Sequence, residues 1–77
     1  MPDGNLSAVI EIICRVGTVP AVEPDQNFYD AGVTSIMALP LLMEMEEHFA
    51  VSIPDDRFVQ ARTARALHEL IASLKES

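Results

Sequence analysis

The stretch Phe28-Tyr29-Asp30-Ala31-Gly32-Val33-Thr34-Ser35-Ile36 is where a long, mostly polar segment gives way to an apolar, helix-forming one. Ser35 stands at the junction. A hydroxyl at a helix start has an ordinary structural use: Ser35, or Thr34 beside it, can cap the helix by accepting from a backbone N–H. It can also be a point of attachment. The unpaired N–H groups and the positive dipole end of a helix favour an anion there, a phosphodiester on the hydroxyl for instance. Attack on a substrate by the hydroxyl itself needs a base beside it. No histidine or lysine lies near Ser35 in sequence.

Working outward, the next helix should run from Ser35 or Ile36 to about Phe49. Each helical residue advances about 100°. Ala38, Leu41, Leu42, Met45 and Phe49 then form one apolar stripe, suited to a core. Ile36, Leu39, Pro40 and Met43 form a second on roughly the opposite side, followed by Glu47. A helix of a small bundle needs only one buried stripe. The second is either a partner-binding surface, for which the pliable Met37 and Met43 are suited, or packing for the preceding loop. Pro40 should remove one helical hydrogen bond or shift the start of regular helix.

Upstream, Leu6, Val9, Ile10, Ile13 and Val16 recur at helical spacing. They place a helix from Asn5 or Ser7, either of which could cap it, to Val16, with Gly17 suited to its end. Residues 17–34, with Pro20 and Pro24, read as irregular chain. A loop of that length is unusual in a compact domain, so Phe28 is expected to anchor it and a short helical turn to lie within it. Downstream, residues 50–54 break the pattern and residues 55–59 read as a short helix with acids at its start. Thr63 caps a last helix with Leu67, Leu70, Ile71 and Leu74 on one face and Lys75 at its end. The expectation is a single all-α domain over residues 1–77: a small four-helix bundle of three main helices and one short one, with a long first loop.

Composition narrows the function. The chain has 77 residues, of which 49% are hydrophobic but only 5% aromatic, so an aliphatic and methionine core is expected. A formal net charge of −7 repels nucleic acid backbones and anionic lipids and attracts proteins with basic docking patches. Nucleic acid and membrane are therefore not expected as partners. The single cysteine, Cys14, allows no internal disulfide and falls beside core positions, where packing is its expected role. Met1-Pro2-Asp3-Gly4 lacks the features of a secretion signal, and the apolar run over residues 36–43 is too short to span a bilayer. A cytoplasmic monomer is the expectation. His48, His68 and Cys14 lack metal-ligand spacing. A hydrolase is disfavoured too. His48 would lie about 20 Å from Ser35 along a helix rising about 1.5 Å per residue, His68 reads as solvated, and no G-x-S-x-G elbow is present.

At this point the residues resemble a known family, the acyl and peptidyl carrier proteins. Their modification site typically shows an aromatic, then Leu-Gly, two residues, and Ser-Leu or Ser-Ile, which residues 28–36 resemble. Leu41-Leu42-Met43-Glu44-Met45-Glu46-Glu47-His48-Phe49 is similar to their second helix. Ser52-Ile53-Pro54-Asp55-Asp56 is similar to the start of their third, and Thr63-Ala64-Arg65-Ala66-Leu67 to the opening of their last. The resemblance implies a carrier, not an enzyme, whose Ser35 receives 4′-phosphopantetheine from coenzyme A and whose arm then holds cargo as a thioester. It also implies the partners: a phosphopantetheinyl transferase, an acyl- or aminoacyl-activating ligase and a downstream transferase. Three departures stand out. Thr34 replaces the usual Asp before the serine, Ala31 replaces the usual Leu before the glycine, and the helix is more apolar near Ser35 than in fatty-acid carriers. The Ala-Gly-x-Thr-Ser pattern in a free-standing chain is also similar to small aminoacyl carriers served by ligases resembling seryl-tRNA synthetase. The other reading is an unmodified helical adaptor that docks partners through the same face.

Overall fold

The structure, a computed structural model, describes residues 2–76; Met1, on which part of the secretion-signal reading rests, lies outside them. Helix α1 (Pro2–Gly17) starts ahead of both Asn5 and Ser7, so neither is its cap. Pro2 suits a first helical position because its missing N–H would find no partner there anyway. Val9, Ile12 and Ile13 are fully buried, while Leu6, Ile10 and Val16 are half-buried at the core's margin. Ile12 was not on the expected stripe. It is buried because α1 packs against both α2 and α4, so a wider arc of its surface is covered.

Gly17 does not close α1 by adopting left-handed geometry. Thr18 does so, at φ 58°, and the Val19 N–H donates back to the Cys14 carbonyl at 3.1 Å. This is the backward bond of a Schellman-type helix end. Gly17 remains helical, and its lack of a side chain serves a tertiary contact instead. A Cβ there would lie 2.6 Å from Val33 Cγ2.

The long connection is anchored at several points. Phe28 is fully buried. The Asn27 side chain accepts from the Tyr29 N–H at 2.9 Å. The N–H groups of Asp30, Ala31 and Gly32 donate to carbonyls three residues back, which supplies the expected helical turn. Earlier parts of the loop dock on the start of the last helix. The Phe28 N–H donates to the Arg62 carbonyl (3.0 Å), Asn27 and Thr63 form an isolated antiparallel bridge, and the Arg65 Nε donates to Asp25 at 2.8 Å. That hydrogen bond and the Asp25 charge raise the pKa of the Arg65 guanidinium above its ordinary value.

A 3₁₀ turn (Ser35–Met37) leads into α2 (Ala38–Phe49), whose N-cap is Met37. Pro40 is thus the third residue of α2, in the first turn, where a backbone N–H has no partner four residues back. Of the two expected consequences, the shifted helix start is the one observed. Leu41, Leu42, Met45 and Phe49 are buried and Ala38 is half-buried. Ala50, at φ 57°, ends the helix. Helix α3 (Asp55–Gln60) opens with its two acids, and α4 (Ala64–Glu76) packs on α1 and α3. Thr63 caps α4 as expected, its Oγ1 accepting from the Ala66 N–H at 3.0 Å. The Pro24 carbonyl takes the Arg65 N–H at 2.9 Å, so the long loop satisfies a second donor at that helix start. The result is the expected four-helix bundle with three main helices and one short one.

Candidate modification site

Ser35 is exposed and opens the 3₁₀ turn. The turn arises because Thr34 is extended (φ −91°, ψ 159°) while the next three residues curl. The Thr34 carbonyl accepts from the Met37 N–H at 3.0 Å and the Ser35 carbonyl from the Ala38 N–H. Regular helix therefore begins three residues beyond Ser35, not at it, and the dipole of α2 acts on the site from that distance. Neither hydroxyl acts as a cap. Thr34 makes no side-chain capping bond, and the Ser35 hydroxyl has no hydrogen-bond partner among the described residues.

What holds this serine outward is the residue pattern before it. Gly32 sits at φ 122°, a conformation that side chains rarely adopt, and a Cβ there would lie 3.0 Å from Val19 Cγ1. Val33 is 3% exposed, its N–H bonded to the Phe28 carbonyl at 3.1 Å. With Val33 turned into the core and the chain extended at Thr34, the hydroxyl of Ser35 is left in solvent.

The second stripe of α2 is not covered by the loop. Ile36 is 82% exposed, Leu39 63% and Met43 59%, with Pro40 exposed between them. Val59, on α3, adds a fourth large exposed side chain that helical periodicity in so short a segment did not single out. Met37 is the exception among the residues expected to serve this surface: it is half-buried and packs on the core margin. Two shallow grooves border Leu39. One brings Pro40 and Met43 against Arg15 and Val16 of α1, the other Ala38 and Leu42 against Phe58 and Val59 of α3.

The acids along α2 have different employments. Glu44 pairs with Arg15 at 3.1 Å. Glu46 turns to the α2–α3 connection and accepts from the Ile53 N–H at 2.9 Å. Glu47 is exposed. His48 sits at the far end of α2, its ring edge-on to Phe49 at 4.7 Å. His68 is half-buried in α4, not solvated as its sequence position suggested. Cys14 is half-buried against the core. Among the described residues no group of three or more potential metal ligands comes together, and no helix is long and apolar enough to cross a membrane.

The Ser35 hydroxyl is thus exposed, uncommitted and beside an apolar surface, which leaves it open to covalent attachment of a tethered group. Residues 7–71 match the phosphopantetheine attachment site family. The non-reducing polyketide synthase pkiA of Emericella nidulans is 32% identical over 73 residues, which is 95% of this chain but only 3% of that synthase. The chain belongs to the phosphopantetheine attachment family, and the cofactor of that family is covalently attached 4′-phosphopantetheine.

Proposed function

We propose, from the premise that this chain belongs to the phosphopantetheine attachment family, that Ser35 is its attachment residue and that it carries an activated acyl or aminoacyl group between partner enzymes. The observation that carries the assignment is the state of the hydroxyl: exposed, at the exit of the loop, and without a capping bond or other partner. In the loading step the Ser35 Oγ would attack the pantetheine-bearing phosphorus of coenzyme A. The new P–O bond forms as the bond to 3′,5′-ADP breaks, and the hydroxyl proton leaves to a base on the transferase. The attached arm supplies a thiol that holds cargo as a thioester, and its length and flexibility raise the cargo's effective concentration at each docked enzyme.

Two features bear on the cargo. The similarity to a polyketide synthase favours a polyketide unit. The Ala31-Gly32-Val33-Thr34-Ser35 pattern, similar to small aminoacyl carriers, favours an amino acid. The partners we propose are a phosphopantetheinyl transferase, an acyl- or aminoacyl-activating ligase and a downstream transferase. They would dock on the Ile36, Leu39 and Met43 face of α2, whose exposure supports an interface.

The test is intact mass after incubation with coenzyme A and a broad-specificity phosphopantetheinyl transferase. One phosphopantetheine mass should be gained, peptide mapping should put it on Ser35, and Ser35→Ala should gain none. A wild-type chain left unmodified by several transferases would make it an adaptor that docks partners without an arm.

A further inference from the structure

We infer that Gly17, at the end of α1, is a positioning residue for Ser35, acting through Val33; this rests on the assignment of Ser35 as the attachment residue. Gly17 is buried and remains helical, so neither exposure nor left-handed geometry requires a glycine there. What requires it is Val33, whose Cγ2 would lie 2.6 Å from an added Cβ, with Val33 Cβ and Cγ1 both at 3.4 Å. Val33 has little freedom to yield. Its side chain is β-branched, with a stiff χ1, and its Cβ and Cγ1 also lie within 3.4 Å of the same point. It is 3% exposed, and its N–H is held by the carbonyl of the fully buried Phe28. Gly32 before it occupies a special conformation and meets Val19, two residues beyond Gly17, with its own Cβ position only 3.0 Å from Val19 Cγ1.

The end of α1 and the loop before Ser35 therefore interlock at two points, with a glycine on one side of each: Gly17 against Val33, and Gly32 against Val19. Upstream of Val33 the chain is fixed by the core. Downstream lie Thr34 and Ser35, both exposed. A methyl group at Gly17 has one inexpensive outlet, displacement of the segment that carries the hydroxyl. Of the docking stripe only Ile36 adjoins the displaced segment, while Leu39 and Met43 lie beyond it in α2, so hydroxyl placement should suffer more than docking.

The experiment uses the full chain, coenzyme A and a broad-specificity phosphopantetheinyl transferase. Gly17→Ala should lower kcat for modification about tenfold, within the range expected of an ångström-scale misplacement, while KM for the carrier stays near wild type. The amide resonances of Thr34, Ser35 and Ile36 should shift in the NMR spectrum of the unmodified protein. The double variant Gly17→Ala, Val33→Ala, which removes the obstructing methyls, should restore both the rate and the resonances. If Gly17→Ala unfolds, a folded double variant with near wild-type kcat supports the inference equally. Wild-type kcat and unshifted resonances in Gly17→Ala overturn it, as does a double variant no better than Gly17→Ala. A wild-type chain that gains no mass on Ser35 overturns the attachment assignment, and this inference with it; that result is read on the wild type alone, before any variant is compared.

Discussion

The two faces of α2 are built from the same kinds of residue and have opposite fates. Leu41, Leu42, Met45 and Phe49 lie in the core, whereas Leu39 and Met43 of the same helix, with Ile36 just before it, stand in solvent. Apolar area held out of a core forgoes about 25 cal/mol for each Å² left in water. Folding alone gives no reason for such a face, whereas under the proposed function a face with the candidate attachment residue at one end would serve docking. The difference teaches that hydrophobicity along a helix marks two destinations, and that only the neighbouring elements decide which is which. Here α1 packs on one side of α2, with α4 behind it, and the long loop, drawn to the start of α4, leaves the other open.

The sharpest break in that contrast comes from the loop itself. Phe28 is fully buried and Ile36 is 82% exposed. Phe28→Ala should cost about 3–5 kcal/mol, which in a domain of this size lowers the melting temperature by at least about 12 °C. Ile36→Ala should change it by less than the equivalent of about 0.5 kcal/mol. Thermal denaturation followed by circular dichroism checks both, and equal losses would mean that Ile36 has a structural contact after all. The same comparison within α2 pairs Met45 with Met43. Met45→Ala should destabilise by about 2–5 kcal/mol. Met43→Ala should leave the melting curve in place and instead slow loading of the modified carrier by its activating ligase, because apolar contacts near the centre of an interface dominate affinity. A Met43→Ala variant that loads normally would move docking off this stripe.

How much of this was legible in sequence follows the range of the interactions involved. The buried stripe of α2, the Thr63 cap and the short α3 depend on residues close together in the chain, and periodicity or local chemistry reveals them; Phe28 stands out as a large apolar residue in a mostly polar loop, although the contacts that anchor it are long-range. Ser35 was singled out by its place at a loop–helix junction. The contacts that escaped are long-range. Ile12 is buried because two helices flank α1, Thr18 rather than Gly17 is left-handed, and Gly17 serves Val33 far along the chain. The second stripe of α2 could have been loop-covered on sequence grounds, since nothing local predicts that the Pro24 carbonyl bonds the Arg65 N–H. The 3₁₀ turn was half visible: Pro40 announced a displaced helix start but not where it would fall.

The smallest effects concern two adjacent glutamates, and they test whether the two-face division extends to charge. Glu46 accepts from the partly buried Ile53 N–H at 2.9 Å. Glu46→Ala should cost about 1–3 kcal/mol by leaving that donor without its partner, a loss readable by urea denaturation and independent of any ligase. Glu47 is exposed and close to the Met43 face in sequence. Glu47→Lys should leave stability nearly unchanged and act on encounter instead, because charges at the edge of an interface govern association rate more than affinity. The Debye length falls from about 30 Å at 0.01 M salt to about 3 Å at 1 M. Loading of the modified Glu47→Lys carrier should therefore be slowed a few-fold at low ionic strength and approach the wild-type rate as salt rises. A deficit that persists unchanged at high salt would mean that Glu47 makes a short-range contact with the ligase. No deficit at low salt would mean that the ligase meets this carrier without using the acidic end of α2.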